Sequence, residues 1–452
     1  MSARSSDHSA AYAVEAALPV PPPLPHLWAA SGPGAAGSSS TLPLRRTGLC
    51  ALLAATARRH PERIAFVDGA DKAAWSGRPA LTLSYGTAAA ITARIARGLR
   101  AWRLAPGSRI GLFLPATIEG LVAHLAIEAA GHVPCPLPLV WTEAQLEAGI
   151  QAAGVSAVLT QVRLGSARPA EAFCRVAARY FGLRYLAAFG PEVPDGVLNL
   201  DELVLDRAEG PGIAETGGGL VTFAAADPAR PVLRQGDALL AAAVAHLAAA
   251  RIGPEERILS LVGASDLRGL VTGLAAALVA GACLETLPVF RSADLGAAMT
   301  HPVATHIVAP GFLEGRFAAC LRPGVRAPGE PRSLSFLHRA PARLERRTAW
   351  GALGRAVQSD PMILDVCAFD EDAVLTCPRG PEDIAKVLDD GAPLRAHQSL
   401  LALRREADGS LAFHGQAVRR TLLHRGTGAE AGEDGWRVWR PASDETGLAA
   451  AA

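Results

Sequence analysis

PGSRIGLFLPATIEGLVAHLAIEAAGHVPCPLPLVWT, residues 106–142, carries in one run both of the periods from which layered α/β folds are built. Gly107 breaks the chain ahead of Arg109–Leu114, a short apolar run of the kind that forms a buried strand. Ile118, Leu121, Val122, Leu125 and Ala129 then recur at helical spacing, and Gly131 stands where a helix stops. Thr142 and Gln145 have the spacing of a capping box. Leu146 and Ile150 follow on one helical face, Gly154 ends that helix, and Val155–Thr160 reads as the next strand. Strand, helix and strand at these lengths imply right-handed parallel crossovers.

The same alternation extends both ways. Upstream, Leu49, Leu52, Leu53 and Ala57 keep helical spacing. Ile64–Val67 and Leu81–Leu83 read as strands, and Ser84 caps a helix bearing Ile91, Ile95, Leu99 and Trp102. A second unit begins near residue 217 with the strand Leu220–Phe223. Asp237 is expected to cap a helix ended by Gly253, and Arg257–Val262 to form a strand. A small-residue helix over Gly269–Ala280 is stopped by Gly281, and Cys283–Leu287 is the next strand. Further strands are predicted at 333–337 and Met362–Val366, with a helix near 344–357. The expected fold class is α/β: two lobes of mostly parallel sheet flanked by helices (45–216 and 217–395) and a small β-rich remnant (396–442). Residues 1–44, rich in Pro, Ala and Ser, read as a disordered or polyproline-like leader in which PPPLP (21–25) is passive, and 443–452 as a tail.

Composition narrows the function classes. The chain of 452 residues is 50% apolar with a net charge of +1, so it has no electrostatic footprint for nucleic acid or an anionic membrane. Outside the leader the longest uncharged run, Gly269–Leu284, is too short to span a bilayer. With no signal-peptide pattern, a cytoplasmic location is expected. The seven cysteines show no C-x-x-C spacing and are expected as free thiols. His301 and His306, separated by Pro302, are expected in core or surface roles rather than as metal ligands. Lys72 and Lys386 are the only lysines, so a lysine-dependent mechanism has just those candidates.

LSYG (83–86), the 106–142 segment, AVLT (157–160) and ATHIVAP (304–310) fall in the order and spacing of a known pattern. So do GAPL (391–394), DGSLAFHG (408–415) and DGW (434–436). Over residues 48–442 the chain resembles the acyl-CoA synthetase, or AMP-dependent synthetase/ligase, superfamily of adenylate-forming AMP-binding enzymes, as a degenerate member. The resemblance implies the fold of that family's large N-terminal domain. It also implies a mobile C-terminal domain carrying a lysine, which the chain to Ala452 is expected to lack.

Several positions that the resemblance marks for chemistry are altered. Where the family has a strand and then TSGTTGxPKG, this chain has VTFAAADPARPV (221–232). A phosphate cradle needs inward N–H groups, hydroxyls and a cation. Pro228 has no N–H, Asp227 adds negative charge, and Val232 replaces the lysine. In the family's Y-G-x-T-E segment only the Glu, a Mg²⁺ ligand, persists, as Glu371, preceded by Cys367, Ala368 and Asp370. Trp439-Arg440-Pro441 stands at the ribose-binding T-G-D. The degenerate nucleotide-site positions are thus Thr222, Asp370, Glu371 and Gly391, with Glu371 the one candidate metal ligand and no catalytic residue assigned. The family's acyl pocket maps to Ala264, Ser265, Asp266 and Arg268, where small residues mean either a cavity or close helix–sheet packing, the latter favoured. The expectation is a protein impaired in ATP-dependent adenylation. It would act as a binding or scaffold protein for an acyl or aryl carboxylate or an acyl-carrying partner, with no cofactor. The alternative is an atypical acyl-CoA ligase, using ATP and Mg²⁺, with a separate C-terminal-domain partner.

Overall fold

A computed structural model describes residues 47–206, 219–299, 301–320, 331–339, 361–379, 394–396, 400–423 and 435–439. The leader, the helix expected near 344–357, Gly391, Lys386 and Pro441 lie outside them. The chain enters through α1 (Leu49–Arg59), β1 (Ile64–Asp68), α2 (Lys72–Ser76), β2 (Thr82–Ser84) and α3 (Tyr85–Ala101). The Ser84 side chain accepts from the Thr87 N–H, as its position before the apolar period predicts. Then come β3 (Arg109–Leu112), α4 (Ile118–Ala129), β4 (Val133–Pro136), α5 (Glu143–Ala153) and β5 (Val155–Gln161). The Thr142–Gln145 capping box forms, and Gly154 closes α5 in the left-handed conformation (φ +61°). With α6 (Pro169–Ala177), β6 (Tyr185–Phe189), β7 (Leu198–Asn199) and α7 (Leu200–Leu205) this makes a five-stranded, wholly parallel sheet in the order β4-β3-β5-β6-β7.

The remaining elements are β8 (Leu220–Phe223), β9 (Pro231–Arg234), α8 (Gly236–Ala250), β10 (Arg257–Ser260) and a helix over residues 267–280. That helix opens as α9 (Leu267–Gly269), widens into a π turn over Leu270–Ala275, and finishes as α10 (Ala276–Ala280). After β11 (Cys283–Thr286), α11 (Ser292–Met299), β12 (Thr305–Pro310) and α12 (Glu314–Cys320) come β13 (Ser333–Arg339), β14 (Met362–Phe369) and β15 (Ala373–Pro378). The last are β16 (Leu394–Ala396), β17 (Leu401–Arg405), β18 (Leu411–His414), β19 (Arg420–Leu422) and β20 (Arg437–Trp439).

An eight-stranded sheet, β15-β14-β13-β12-β10-β11-β1-β2, is parallel throughout except at its two edges. Its β1 and β2 come from ahead of the five-stranded sheet in the chain, so the two sheets are interleaved in sequence rather than divided near residue 216. The hairpin β8–β9 joins β19 in a small antiparallel sheet, and β16, β17, β18 and β20 form another. Two boundaries differ from their expected places. Gln235, not Asp237, is the N-cap of α8; Asp237 lies in the first turn and bonds the Ala238 N–H. The same helix stops at Ala250, with Arg251 left-handed (φ +57°) ahead of Gly253.

α4 is buried on every side, Gly120 alone being partly open, as the dense apolar pattern of its sequence demands. Burial of Leu121, Val122, Leu125 or Ile127 contributes about 1.5–3 kcal/mol each. The polar groups of α4 therefore need partners. Glu128 accepts from the Cys50 N–H at 2.6 Å and so caps α1, whose own N-cap, Gly48, has no side chain to do it. Glu119 meets Lys72 and Arg78. The Lys72 ammonium, 1% exposed, lies 2.6 Å from Asp68 Oδ2 and 2.6 Å from Glu119 Oε2. Arg78 bonds Glu119 through Nε at 2.7 Å and Asp201 through both terminal nitrogens at 2.8 Å, with its guanidinium over the Phe189 ring. This chain of charges ties the β1–α2 corner of the large sheet to α4, α7 and β6 of the smaller one. Burial alone would raise the pKa of Glu119, but Lys72 and Arg78 outweigh it and hold the group below the usual value.

Six cysteine side chains are described, and none of them is in a disulfide. Among the described residues no helix is long and apolar enough to cross a membrane.

Candidate functional site

The β8–β9 hairpin occupies the position of the expected phosphate loop, and its backbone is turned onto itself. The Ala224 N–H donates to the Arg230 carbonyl (3.0 Å), the Asp227 N–H to Ala224 (2.9 Å) and the Arg230 N–H to Asp227 (3.0 Å). The Ala229 N–H goes to the Asp227 carboxylate at 2.9 Å. Asp227 thus works as a turn residue, the ordinary use of an Asp ahead of a proline. Ala226 sits at φ +54°, unfavourable for a residue with a Cβ. Its carbonyl accepts from Trp141 Nε1 at 3.0 Å, and the Trp141 ring meets Phe223 edge-on at 4.7 Å. The indole pins the turn to the five-stranded lobe. Val232 faces inward and is wholly buried.

Thr222, on β8, points toward the end of β14. There Glu371 follows Asp370, itself left-handed (φ +51°), in the tight connection to β15. Glu371 is 5% exposed. Its Oε2 accepts from Thr222 Oγ1 at 2.7 Å and from the Leu267 N–H at 3.2 Å. Its own carbonyl accepts from the Arg234 guanidinium, which is fully buried and also reaches the Ala417 carbonyl at 3.0 Å. Burial, and next the charge of Asp266, push the Glu371 carboxyl up to about 8; the Thr222 hydroxyl and Arg234 pull against them. Asp266 caps the 267–280 helix through the Gly269 N–H (3.1 Å) and pairs with Arg268 Nε (3.0 Å). Among the described residues no group of three or more His, Cys, Asp and Glu is arranged to hold a metal ion.

The structure thus brings Thr222, Asp266, Arg268, Asp370 and Glu371 together, Arg268 lying within electrostatic reach of all three acids. Ala264 and Ser265 line a space of only about 20 Å³, walled also by Leu114, Leu274 and His124, no more than a water occupies. Beside it a Cβ on Gly269 would fall 1.7 Å from the Gly263 carbonyl oxygen, so loop and helix are in backbone contact. Burial lowers the His124 pKa to about 4, leaving a neutral imidazole against this space. Ser265→Trp is accordingly expected to overpack the site and to cost about 1–3 kcal/mol with no ligand present. Urea melts of the two proteins measure it; equal midpoints would mean that the space opens. Sequence reading missed Trp141, His124 and Arg234. Arg234 left a signal, as a cation in an otherwise apolar strand.

An α/β chain whose largest sheet is mostly parallel, with a β-hairpin and an acidic strand end meeting beside a helix N-terminus, has the architecture of the large N-terminal domain of adenylate-forming enzymes. Residues 53–188 match the family model described as "AMP-binding enzyme". No curated protein matches the sequence. Solved structures do. Apo MatB from Rhodopseudomonas palustris superposes with TM-score 0.66 at 18% identity, over 87% of this chain and 75% of that one. Unliganded MenE, the O-succinylbenzoate coenzyme A synthetase of Bacillus subtilis, gives 0.61 at 15% over 86% and 75%. A benzoate CoA ligase from Burkholderia xenovorans LB400 gives 0.62 at 17% over 82% and 72%. These likenesses are of fold. The match over 53–188 makes that part of the chain similar to AMP-binding enzymes.

Proposed function

We propose that this chain is an AMP-binding family member that is impaired in ATP-dependent adenylation and serves as a binding or scaffold protein built on the large-domain fold. The observation that carries the reading is the closed β8–β9 turn. Four of its N–H groups are spent inside the loop, Pro228 has none, and the buried side chain at 232 is apolar. A triphosphate there would meet the Asp227 carboxylate and no lysine, and would lack the donors on which phosphoryl stabilisation rests. Glu371 fits a resident Mg²⁺ poorly, since both Thr222 and the Leu267 N–H already bond its carboxylate. The family chemistry makes an acyl or aryl carboxylate, or an acyl-carrying partner, the ligand class to test, although the space at Ala264 and Ser265 weights the reading toward a scaffold. Cysteines outside any disulfide suit a reducing cytoplasm.

One observation favours a working ligase instead: Glu371 still lies beside Thr222 at the end of β14. On that reading ATP and Mg²⁺ bind only after the hairpin opens, with a separate C-terminal-domain partner. Carboxylate-dependent exchange of pyrophosphate into ATP separates the two. The purified chain is expected to give no exchange above blank with benzoate, malonate or fatty acids. Exchange by the chain alone overturns the proposal, and exchange appearing only with a second protein supports the ligase reading.

A further inference from the structure

A larger cavity lies away from this site, on the face of the eight-stranded sheet opposite α8. Phe66, Ile258 and Leu284 point to the α8 side and join the main core. Val67, Arg257 and Glu285 are their sequence neighbours and face the other way, under α11. The cavity begins at the amino-terminal ends of β1, β10 and β11, whereas Glu371 follows the carboxy-terminal end of β14. It encloses about 680 Å³, the size of a small-molecule site. Ile64 and Val303 on its wall are 39% and 36% exposed, unusual for large apolar side chains placed at the mouth of a hollow.

The charges along the wall do not balance. Arg257 is engaged, bonding Glu285 (2.6 Å), Thr305 Oγ1 (3.1 Å) and the Ala298 carbonyl. Asp68 belongs to Lys72, and Glu256 to His306 (2.9 Å) and Arg332 (2.8 Å). Glu255 is 86% exposed and 4.0 Å from Arg63. Asp294 is left over. Its Oδ2 is buried and has no hydrogen-bond partner among the described residues. Its place in the first turn of α11 explains why an acid is tolerated there, but not why a carboxylate oxygen is enclosed without a donor.

We propose that this cavity binds a small organic cation, an ammonium or amidinium on an apolar body, with the cationic N–H groups on Asp294 and the body along Ile64, Val67 and Val303. A charged donor in the cavity meets Asp294, a wall carboxylate that no described cation of the wall pairs and whose inner oxygen has no hydrogen-bond partner among the described residues. An anion would face Asp294 and Glu285 instead and be repelled. The site stands apart from the adenylation question and holds whichever answer that receives.

Calorimetry on the full chain tests it with benzamidine and phenethylamine as cationic probes and benzamide as the uncharged isostere of the first. One of the two cations is expected to bind saturably, one per chain, about tenfold or more tighter than benzamide. Asp294→Asn, which keeps the side-chain size, is expected to weaken that binding by about tenfold or more. Val67→Phe, a strand position that accepts an aromatic ring, is expected to fill the cavity and abolish it. Should Asp294→Asn fail to fold, Val67→Phe decides alone. No saturable binding of either cation up to ~10 mM overturns the proposal. So does equal binding of benzamide, or undiminished binding by the folded variants.

Discussion

Lys72→Met is expected to destabilise the protein by about 3–5 kcal/mol, because it leaves Asp68 and Glu119 buried around an apolar group with one countercharge, Arg78, between them. The carboxylates would sit in a low-dielectric space that their present partners make tolerable. Arg175→Met is the comparison. Arg175 is 56% exposed beside Glu143, and an ion pair at that surface is worth about 0–1 kcal/mol. Chemical denaturation of both variants reads the difference directly. Equal midpoints would show that the Lys72 cluster is no more than a surface pair. Because it links β1 and α2 to α4, and through Arg78 to Asp201, loss of cooperativity between the two sheets is expected along with the loss of stability.

Glu371 should give the protein a pH dependence of opposite sign to that of an ordinary paired carboxylate. Its folded value, about 8, lies above the unfolded value of 4.5. Between these the folded chain binds more protons than the unfolded one, so stability contributed by this group falls as pH rises from 4.5 to 8 and is level above. The full swing is on the order of a few kcal/mol. Burial drives it first, helped by the charges of Asp266 and Asp370, while Thr222 and Arg234 act against it. Depressed histidines such as His124 and His246, both near 4, contribute with the reverse slope, so the comparison with a variant is what isolates Glu371. Glu371→Gln keeps an acceptor for Thr222 and removes the proton. It is expected to match the wild type near pH 5 and to exceed it in stability at pH 8–9. Parallel curves across that range would mean that the carboxylate ionises normally.

Local structure was largely legible in the sequence. The 106–160 unit, the Ser84 cap, the Thr142–Gln145 box and the stops at Gly154 and Gly281 depend on residues a few positions apart, and they form as the spacing predicts. What depends on distant partners was not. A short apolar run at Ile64–Val67 says strand, but only β11 decides which sheet takes it. The end of α8 followed its own backbone, the Arg251 N–H returning to the Leu247 carbonyl, and ignored the nearby glycine. No residue pattern announced the π turn at Leu270–Ala275. In the candidate site, Glu371 and Thr222 were read by resemblance, and the structure places them in contact. The partners of the buried Arg234 and Lys72 were not legible, because charged residues read as surface until the groups they meet are located. Lys72 did leave a trace: in a chain that otherwise uses arginine, a compact ammonium suits a space between two carboxylates that a planar guanidinium would not fill.

Calorimetric titration of the purified chain with ATP·Mg²⁺, followed by AMP, addresses the adenylation proposal most directly. The closed β8–β9 turn, the Asp227 carboxylate and the engaged Glu371 lead us to expect no heat beyond dilution up to millimolar nucleotide. A saturable isotherm with a sub-millimolar dissociation constant would contradict it, since the hairpin would then have to open and free its N–H groups for phosphate.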